Sequence, residues 1–363
     1  MSGTSVDGLD LACCSFTFKN GRWNYHIAEA RTISYPEDWR KRLLNIVDLP
    51  AEGIWIADRE FGEYIGVCIN EFIRDTGLRP SLIASHGHTV FHQPEKKLTL
   101  QIGNGLAINA VTGLTTVTDF RRLDVILGGQ GAPLVPVGDR YLFPDYSACL
   151  NLGGFSNLSY ETSGNRIACD ICPVNIVLNR LAAQLNFPFD RGGELARKGK
   201  LIPGLLDQLN ELNFYKRYGP KSLGLEWVNE NVTPLLMAHN NVYDLLNTFT
   251  RHIAFQISEI IDKIINAEDK QANVLVTGGG AYNDYLIQLI REKSNVKVIY
   301  EIPGNLLVDY KESLIFAFLG ELRIRKEINA LKSVTGASRD SIGGVIYDNC
   351  TRPDCVENHF SKE

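Results

Sequence analysis

The sequence predicts an α/β protein of two domains flanking a cleft, and three observations predict it. The chain has 363 residues, beyond the roughly 250–300 at which a single core stops growing. Short β-favouring runs alternate with helical periodicities along most of its length. Two hairpins with glycine and hydroxyl or amide residues at their tips, residues 3–10 and 151–157, are what two related lobes would contribute to one phosphate site.

Composition narrows the partners. The formal charge is −5 at pH 7 with Lys and Arg scattered, so no basic stripe exists for a nucleic-acid backbone. No apolar run approaches the ~18–20 residues of a membrane span, and the start lacks a charged n-region with a long apolar run. A cytoplasmic protein without nucleic-acid or membrane partners is expected. Cys13, Cys14, Cys68 and Cys149 lie in apolar stretches and read as small core residues of a reduced protein. Cys169 and Cys172 form a lone C-x-x-C, which without a second pair argues against zinc. Cys350 and Cys355 are too isolated to interpret.

The first hairpin reads Gly3-Thr4-Ser5-Val6-Asp7-Gly8-Leu9-Asp10. Its glycines allow positive-φ turns, and Thr4 and Ser5 add hydroxyl and N–H groups that can face an anion. Asp7 and Asp10 are out of place in a purely anionic site, so at least Asp7 is read as holding a divalent cation, directly or through water, beside phosphates. A solvated Asp-Gly turn is the plainer reading of this octet alone.

Residues 9–18 and 23–30 read as strands joined by a turn at Asn20-Gly21. Helices over 36–47 and 54–76 then cover the sheet. A buried strand at 81–85 delivers His86-Gly87-His88-Thr89 at its carboxyl end, where α/β folds place ligand contacts. His86, His88 and His92 do not match a zinc set and read as neutral imidazoles. A strand at 99–102, a helix over 105–112 and a strand at 115–118 follow. Next comes the densest polar stretch, Asp119 to Asp124 and then Gly128-Gly129-Gln130-Gly131. It puts a guanidinium, carboxylates and bare backbone at one cleft edge, as a polyol or carboxylate grip would; an Asp/Arg pair capping a helix is the alternative.

Strands at 146–152 and 158–162 flank Gly153-Gly154, repeating the opening device and suggesting a boundary near residue 140. A short strand at 167–170 ends on Asp170, and Pro173 is expected to start a helix. Asp170 would sit just before a helix N-terminus that favours its ionised form, as suits a carboxylate base, with an N-cap role as the alternative. Residues 189–193 turn into a helix running to Lys198. A helix over 201–213 and a loop at 219–222 precede a long amphipathic helix over 242–267. The strand at 273–277 runs into Gly278-Gly279-Gly280-Ala281-Tyr282-Asn283, a strand–glycine–helix join that lets a base or ribose approach the backbone. A strand at 296–300 and a helix over 310–325, with Glu312 in its first turn, complete the readable chain.

The blocks MSGTSVDGLD, HGHTVFHQP, LQIGNG, TDFRRLDVILGGQGAPLVP, NLGGFSNLS, FDRGGELARKGK, GPKSLGLEW, VTGGGAYN and KESLIFAFLG, in this order and spacing, resemble the anhydro-N-acetylmuramic acid kinase family. The resemblance implies a two-lobed actin/hexokinase-like (ribonuclease H-like) fold with mixed sheets flanked by helices around a central cleft. Its lobes would be 1–140, with the tail 338–363 packing back, and 141–337. It implies ATP and Mg²⁺ as cofactors, and a role in bacterial cell-wall recycling. Family members open the 1,6-anhydro ring of anhydro-N-acetylmuramate with water and phosphorylate O6, giving N-acetylmuramate 6-phosphate and ADP.

Carried over by position, Gly3, Thr4, Ser5, Val6, Asp7, Gly8, Leu9 and Asp10 look like the first ATP-phosphate hairpin, with Mg²⁺ at Asp7, possibly through water. Asn151, Gly153 and Gly154 look like the second, and Gly278, Gly279, Gly280 and Asn283 the adenosine side. Asp170 falls on the family's catalytic aspartate. Arg121 is nominated for the lactyl carboxylate of the sugar, with Asp124 and Gln130 beside it, and Asn175 and Glu312 also on the sugar side. Cleft kinases of this size often pair, so a homodimer is a further expectation.

Several departures from the family stand out. The family reads Phe-Asp-Thr-Gly-Pro-Gly-Asn where this chain has Cys169-Asp170-Ile171-Cys172-Pro173-Val174-Asn175, so altered substrate contact is expected if side chains replace bare backbone against the sugar. His88 stands where Gln is usual, and Asn179 where an aspartate is common. The family also carries an apolar strand before its Met-Ser-Gly-Thr-Ser, and without it weaker ATP binding or lower stability is expected. Two alternatives stay open: a kinase of another amino sugar or polyol on the same fold, and a nucleotide-binding protein without catalysis.

Overall fold

The computed structural model describes residues 1–3, 6, 8–216, 221–264, 272–294 and 297–348. Thr4, Ser5 and Asp7 of the first hairpin, Gly219 and Pro220, Val296, Cys350 and Cys355 lie outside the described residues. Contacts divide the chain into two compact units, one of Met1–Leu142 with 312 onward and one of Phe143–Lys311.

The first unit opens on β1 (Gly8–Lys19) and β2 (Arg22–Ser34), antiparallel, with a register shift at Cys13/Cys14. Asn20 and Gly21 both adopt positive φ, the turn that matches the right-handed twist of a hairpin. Helices α1 (Glu37–Leu44) and α2 (Ala51–Thr76) follow, the second ending where Gly77 turns left-handed at φ 69°. Then come β3 (Leu82–Ala84), β4 (His88–Gln93), β5 (Leu98–Ile102), α3 (Gly105–Thr112) and β6 (Thr115–Thr118). β3 pairs in parallel with β6, and β4 with β5 antiparallel. Phe61, Ile65 and Ile69 of α2 lie four residues apart, so one stripe of the helix meets Val6, Leu9, Ile83, Ile102 and Ile108 in the core.

The second unit contains β7 (Ala148–Leu152), β8 (Phe155–Thr162), β9 (Asn165–Pro173), α4 (Asn175–Ala183), α5 (Glu194–Lys198), α6 (Val242–Ile264), β10 (Ala272–Thr277), α7 (Asp284–Lys293) and β11 (Val298–Glu301). Its sheet is mixed, in the order β11-β10-β7-β8-β9. β7, β10 and β11 run parallel, and β8 is antiparallel to both β7 and β9. Leu246, Phe249, Ile253, Ile257 and Ile261 of α6 are fully buried in this core with Leu150 and Val276. The α/β class with mixed sheets holds in each unit.

The chain leaves the second unit along α8 (Asn305–Ile324), which departs from helical geometry at Tyr310 (φ −117°, ψ 18°), and later adds β12 (Val345–Tyr347) antiparallel to β6. The expected boundary at 337 differs from this division: residues from 312 onward group with the first unit. There Phe318 packs on Phe16 and Trp23 at centroid distances of 5.2 and 5.0 Å, and a Cβ on Gly320 would stand 2.6 Å from that of Ala84.

Gly87, in the turn between β3 and β4, has φ +72°, and a Cβ there would lie 2.2 Å from the Ile102 carbonyl oxygen. Gly87→Ala is expected to lower stability by at least ~1–3 kcal/mol, read as a lower urea midpoint at unchanged slope.

Candidate functional site

In the first unit, the chain before and after the glycine hairpin is paired. Asp10 N donates to Met1 O at 2.9 Å, Met1 N to Asp10 O at 2.8 Å, and Ser2 bridges Leu9. Val6 N donates to Gly3 O at 3.2 Å. Val6 and Leu9 bury their side chains in the core, so they can offer a ligand only backbone. Gly8 is bare because a Cβ would stand 2.7 Å from Thr32 and 2.8 Å from the Ile33 oxygen. Asp10 accepts from Thr32 Oγ1 at 2.6 Å. Beneath the loop, Tyr35 Oη donates to Ser2 Oγ at 2.7 Å, and Ser2 Oγ lies 3.0 Å from His88 Nδ1, a buried anchor beside Gly3.

Arg121 immediately precedes the short helix Arg122–Ile126. Its Nε donates to His86 Nε2 at 2.9 Å and its Nη1 to the Gly131 carbonyl at 2.7 Å, with the guanidinium 5.8 Å from the Phe316 ring. Burial pulls its pKa down to about 10, and Glu312 opposes that shift. His86 is held neutral, well below its ordinary value, by burial first and by the neighbouring cation second. Because Nε2 accepts, Nδ1 carries the proton and donates to Gly87 O at 3.0 Å. Asp124 is 1% exposed, and its two oxygens accept from Gly131 N and Thr335 Oγ1 at 2.8 and 2.7 Å. In the folded unit it braces the 128–131 loop against Thr335. Gln130 is exposed, with its N donating to Thr335 O, and Glu312 is exposed.

In the second unit, parallel pairing sets Asn151 opposite Thr277, which brings both glycine loops to one edge of the sheet. The glycines divide into two groups. A Cβ on Gly278 (φ +84°) would stand 2.6 Å from Asn151 Oδ1, and one on Gly280 would stand 2.7 Å from Leu152 Cβ; these two let the loops pack on each other. Gly154 and Gly279 meet nothing closer than 3.9 and 3.6 Å, and Gly153 meets only the Asn151 amide and Phe155 O, at 3.3 and 3.5 Å. Asn175 ties the edge together by donating to Leu152 O at 3.2 Å. Asn283 caps α7, its side chain accepting from Leu286 N at 3.0 Å. Beside them opens a cavity of about 570 Å³ with Asn175, Gly279 and Asn283 in its wall. Bare backbone facing open space is compatible with a phosphate or ribose, which needs approach closer than a side chain allows.

Asp170 is placed differently from the expectation. β9 runs on through Pro173, and Val174, not Asp170, precedes α4. The register shift at Ser156/Asn157 leaves Ile171 without a cross-strand partner, with Asp170 opposite Asn157 and Cys172 opposite Ser156. Asp170 N donates to Lys221 O at 2.9 Å, and its Oδ2 accepts from Leu223 N at 2.8 Å. Burial raises its pKa, and the Leu223 N–H partly offsets the rise. The helix-dipole argument for a lowered pKa therefore does not apply; a carboxylate held by one N–H in a half-buried strand is tuned upward, toward the range of a general base.

The replaced residues do not stand bare against solvent. Ile171, Cys172 and Val174 are buried in the second unit's own hydrophobic core, and Ser156 Oγ bonds the Cys172 carbonyl and amide at 3.0 and 3.2 Å. Burial lifts the Cys172 thiol to about 12 and the Cys169 thiol to about 11, which leaves both inert at neutral pH.

The family model described as anhydro-N-acetylmuramic acid kinase matches residues 1–349. The chain belongs to the anhydro-N-acetylmuramic acid kinase family. The family member of Caldanaerobacter subterraneus subsp. tengcongensis is 32% identical over 376 residues, covering 95% of each chain. That of Vibrio cholerae is 33% identical over 367 residues, covering 96% of each. A ROK family glucokinase from Streptomyces griseus, solved with glucose and AMPPNP, overlays with a TM-score of 0.38 at 10% identity, covering 85% of this chain and 99% of that one; that overlay is too loose to add to the assignment.

Membership makes the chain a phosphotransferase. Motif reading missed the supports of the candidate residues within each unit: in the first, the Ser2, Tyr35 and His88 anchor and the His86 acceptor under Arg121; in the second, the Lys221 and Leu223 backbone that holds Asp170. The GPKSLGLEW block carries the last pair, but no local signal ties it to a strand some fifty residues earlier. Replacing His86 by Leu removes the acceptor for a buried guanidinium N–H, and is expected to cost ~1–3 kcal/mol as a lower urea midpoint, with His86→Gln recovering part through its side-chain oxygen.

Proposed function

We propose that the protein phosphorylates 1,6-anhydro-N-acetylmuramate with ATP and Mg²⁺ while opening its anhydro ring with water, giving N-acetylmuramate 6-phosphate and ADP in bacterial cell-wall recycling. The observation that carries this is Asp170: the aspartate expected from the family motif has a burial-raised pKa and a carboxylate oriented by the Leu223 N–H.

An anhydro sugar is an internal glycoside, so breaking its C1–O6 bond by water needs a base on the water and an outlet for the charge on O6. Asp170 takes the proton from the water as its oxygen attacks C1, and the C1–O6 electron pair passes to O6. ATP with Mg²⁺, when bound, supplies the phosphoryl group that captures O6, so the leaving oxygen needs no separate acid. Gly153, Gly154 and Gly279 would receive the phosphates on bare backbone, with Gly3, Thr4, Ser5 and Gly8 as the other hairpin and Asp7 as the Mg²⁺ residue. Arg121, with its loop braced by Asp124, is assigned the lactyl carboxylate, and Glu312 the sugar side. Asn175, in the wall of the cavity with Gly279, is reassigned from sugar to nucleotide.

A different amino sugar or polyol was suggested by Ile171, Cys172 and Val174, and their burial in the core removes that motive. No helix among the described residues is long and apolar enough to cross a membrane; a cytoplasmic location and a homodimer remain part of the proposal.

With ATP, Mg²⁺ and the anhydro sugar, Asp170→Asn is expected to lose at least ~10²–10⁴-fold in turnover, the contribution of a positioned base, while still binding ADP. The readout is 6-phosphate formation by mass spectrometry beside ADP calorimetry. An Asp170→Asn protein that turns over like the parent would remove Asp170 from the mechanism.

A further inference from the structure

The segment that aims Asp170 is itself held by a chain of contacts that reaches back to α6. Asp170 N donates to Lys221 O at 2.9 Å, and Leu223 N donates to Asp170 Oδ2 at 2.8 Å. In a parallel ladder the second of these bonds would end on the Asp170 carbonyl; here the carboxylate takes it. Residues 221–223 thus lie along the outer edge of β9 with one backbone rung, and a single hydrogen bond contributes too little net stability to fix a segment.

The Lys221 side chain supplies a second hold. Its Nζ donates to Phe214 O at 3.1 Å and stands 4.3 Å from the centre of the Phe214 ring, a charge-assisted bond joined to a cation–π contact. Phe214 is buried and packs on Trp227 and Tyr215 at centroid distances of 5.3 and 5.6 Å. Tyr215 Oη donates to His252 Nε2 at 3.0 Å, and His252 is fully buried on α6. Asn210 Oδ1 can only accept, so His252 Nδ1 carries the proton and donates to it at 2.7 Å. Gln256 Nε2 donates to the same oxygen at 3.1 Å. Burial lowers the imidazole pKa to about 3, so the strut stays neutral near neutral pH. Both ring nitrogens are satisfied, the condition under which a buried polar network stiffens what it joins.

We propose that Lys221 is a positioning residue for the reaction: its ammonium, locked on Phe214, holds the 221–223 backbone against β9 so that the Leu223 N–H stays on the Asp170 carboxylate. This rests on the reading of Asp170 as the base and extends it to the element that aims it. Lys221 acts through geometry and not through its charge. The ammonium opposes the burial-driven rise of the Cys169 and Cys172 thiols, whereas the shift of Asp170 comes from burial and the Leu223 N–H. Without the ammonium the segment leaves β9, and the carboxylate loses its orienting donor. Asp170 is then more basic but misaimed.

The test is steady-state kinetics of Lys221→Met, Lys221→Arg, Tyr215→Phe and Asp170→Asn in the full chain with ATP, Mg²⁺ and the anhydro sugar, beside urea unfolding of each. Lys221→Met keeps the apolar stem and is expected to lower kcat by about 10- to 100-fold, the cost of a misplaced catalytic group, with KM for both substrates within about threefold. Its acid limb in kcat/KM moves to higher pH, because the lost N–H had favoured the ionised carboxylate. Lys221→Arg keeps a cation and a donor and recovers most of kcat. Tyr215→Phe removes only the hydroxyl on His252; it lowers kcat by less in the same direction, and it carries the test if Lys221→Met does not fold. Parental kcat and acid limb in Lys221→Met, with a lower urea midpoint, overturn the proposal, because the contact would then be structural alone. Parental turnover in Asp170→Asn removes the base reading and this inference with it; loss of turnover there beside parental kinetics in the Lys221 and Tyr215 variants removes this inference only.

Discussion

The parallel register of β7 and β10, with Asn151 opposite Thr277, is the constraint on which the second unit's site depends. Strands paired in this register must end together, so the loops after Leu152 and after Thr277 emerge at the same edge. Their closeness then dictates which glycines are structural. Gly278 and Gly280 are bare because the other loop occupies the space a Cβ would need, whereas Gly154 and Gly279 face open volume. Shifting the pairing by one residue would turn Leu150 and Val276 out of the core, at a cost far above any loop contact. The site edge is thus held by the hydrophobic core beneath it.

Beside that edge, Asp170 is set by two departures from regular pairing. Ile171 is an extra residue in β9, and such bulges bend a strand and re-aim its side chains. The Lys221 carbonyl and the Leu223 amide then bracket Asp170, one accepting from its backbone and one donating to its carboxylate. Burial raises the energy of the charged form and the single N–H returns part of it. The balance leaves a carboxylate that is a stronger base than one in water.

Much of this was legible where the signal is local. The helix Gly105–Thr112 and the strand Thr115–Thr118 lie where periodicity and glycine punctuation put them, because Asn104 caps the helix and Gly113 ends it. Pro173 was misread because proline suits both the first turn of a helix and the end of an edge strand, and β9 is an edge strand. With that error the Asp170 electrostatics reversed sign. The motif reading grouped Asp124 with Arg121 at the ligand, while its two oxygens are taken by Gly131 N and by Thr335 Oγ1, the latter a residue no local pattern connects to it. Family blocks identified the chemistry from residue types in order, and the division of labour among those residues needed the fold.

The central claim, that Asp170 is a base tuned upward by burial, is tested most directly by the pH dependence of kcat/KM for the anhydro sugar at saturating nucleotide. A base must be ionised to act, so activity falls as pH drops through its pKa in the free enzyme. Because that pKa is raised from 3.8, the account predicts an acid limb centred above the ordinary aspartate value and absent from the residual activity of Asp170→Asn. A limb at or below 3.8, or one that survives unchanged in Asp170→Asn, would contradict it.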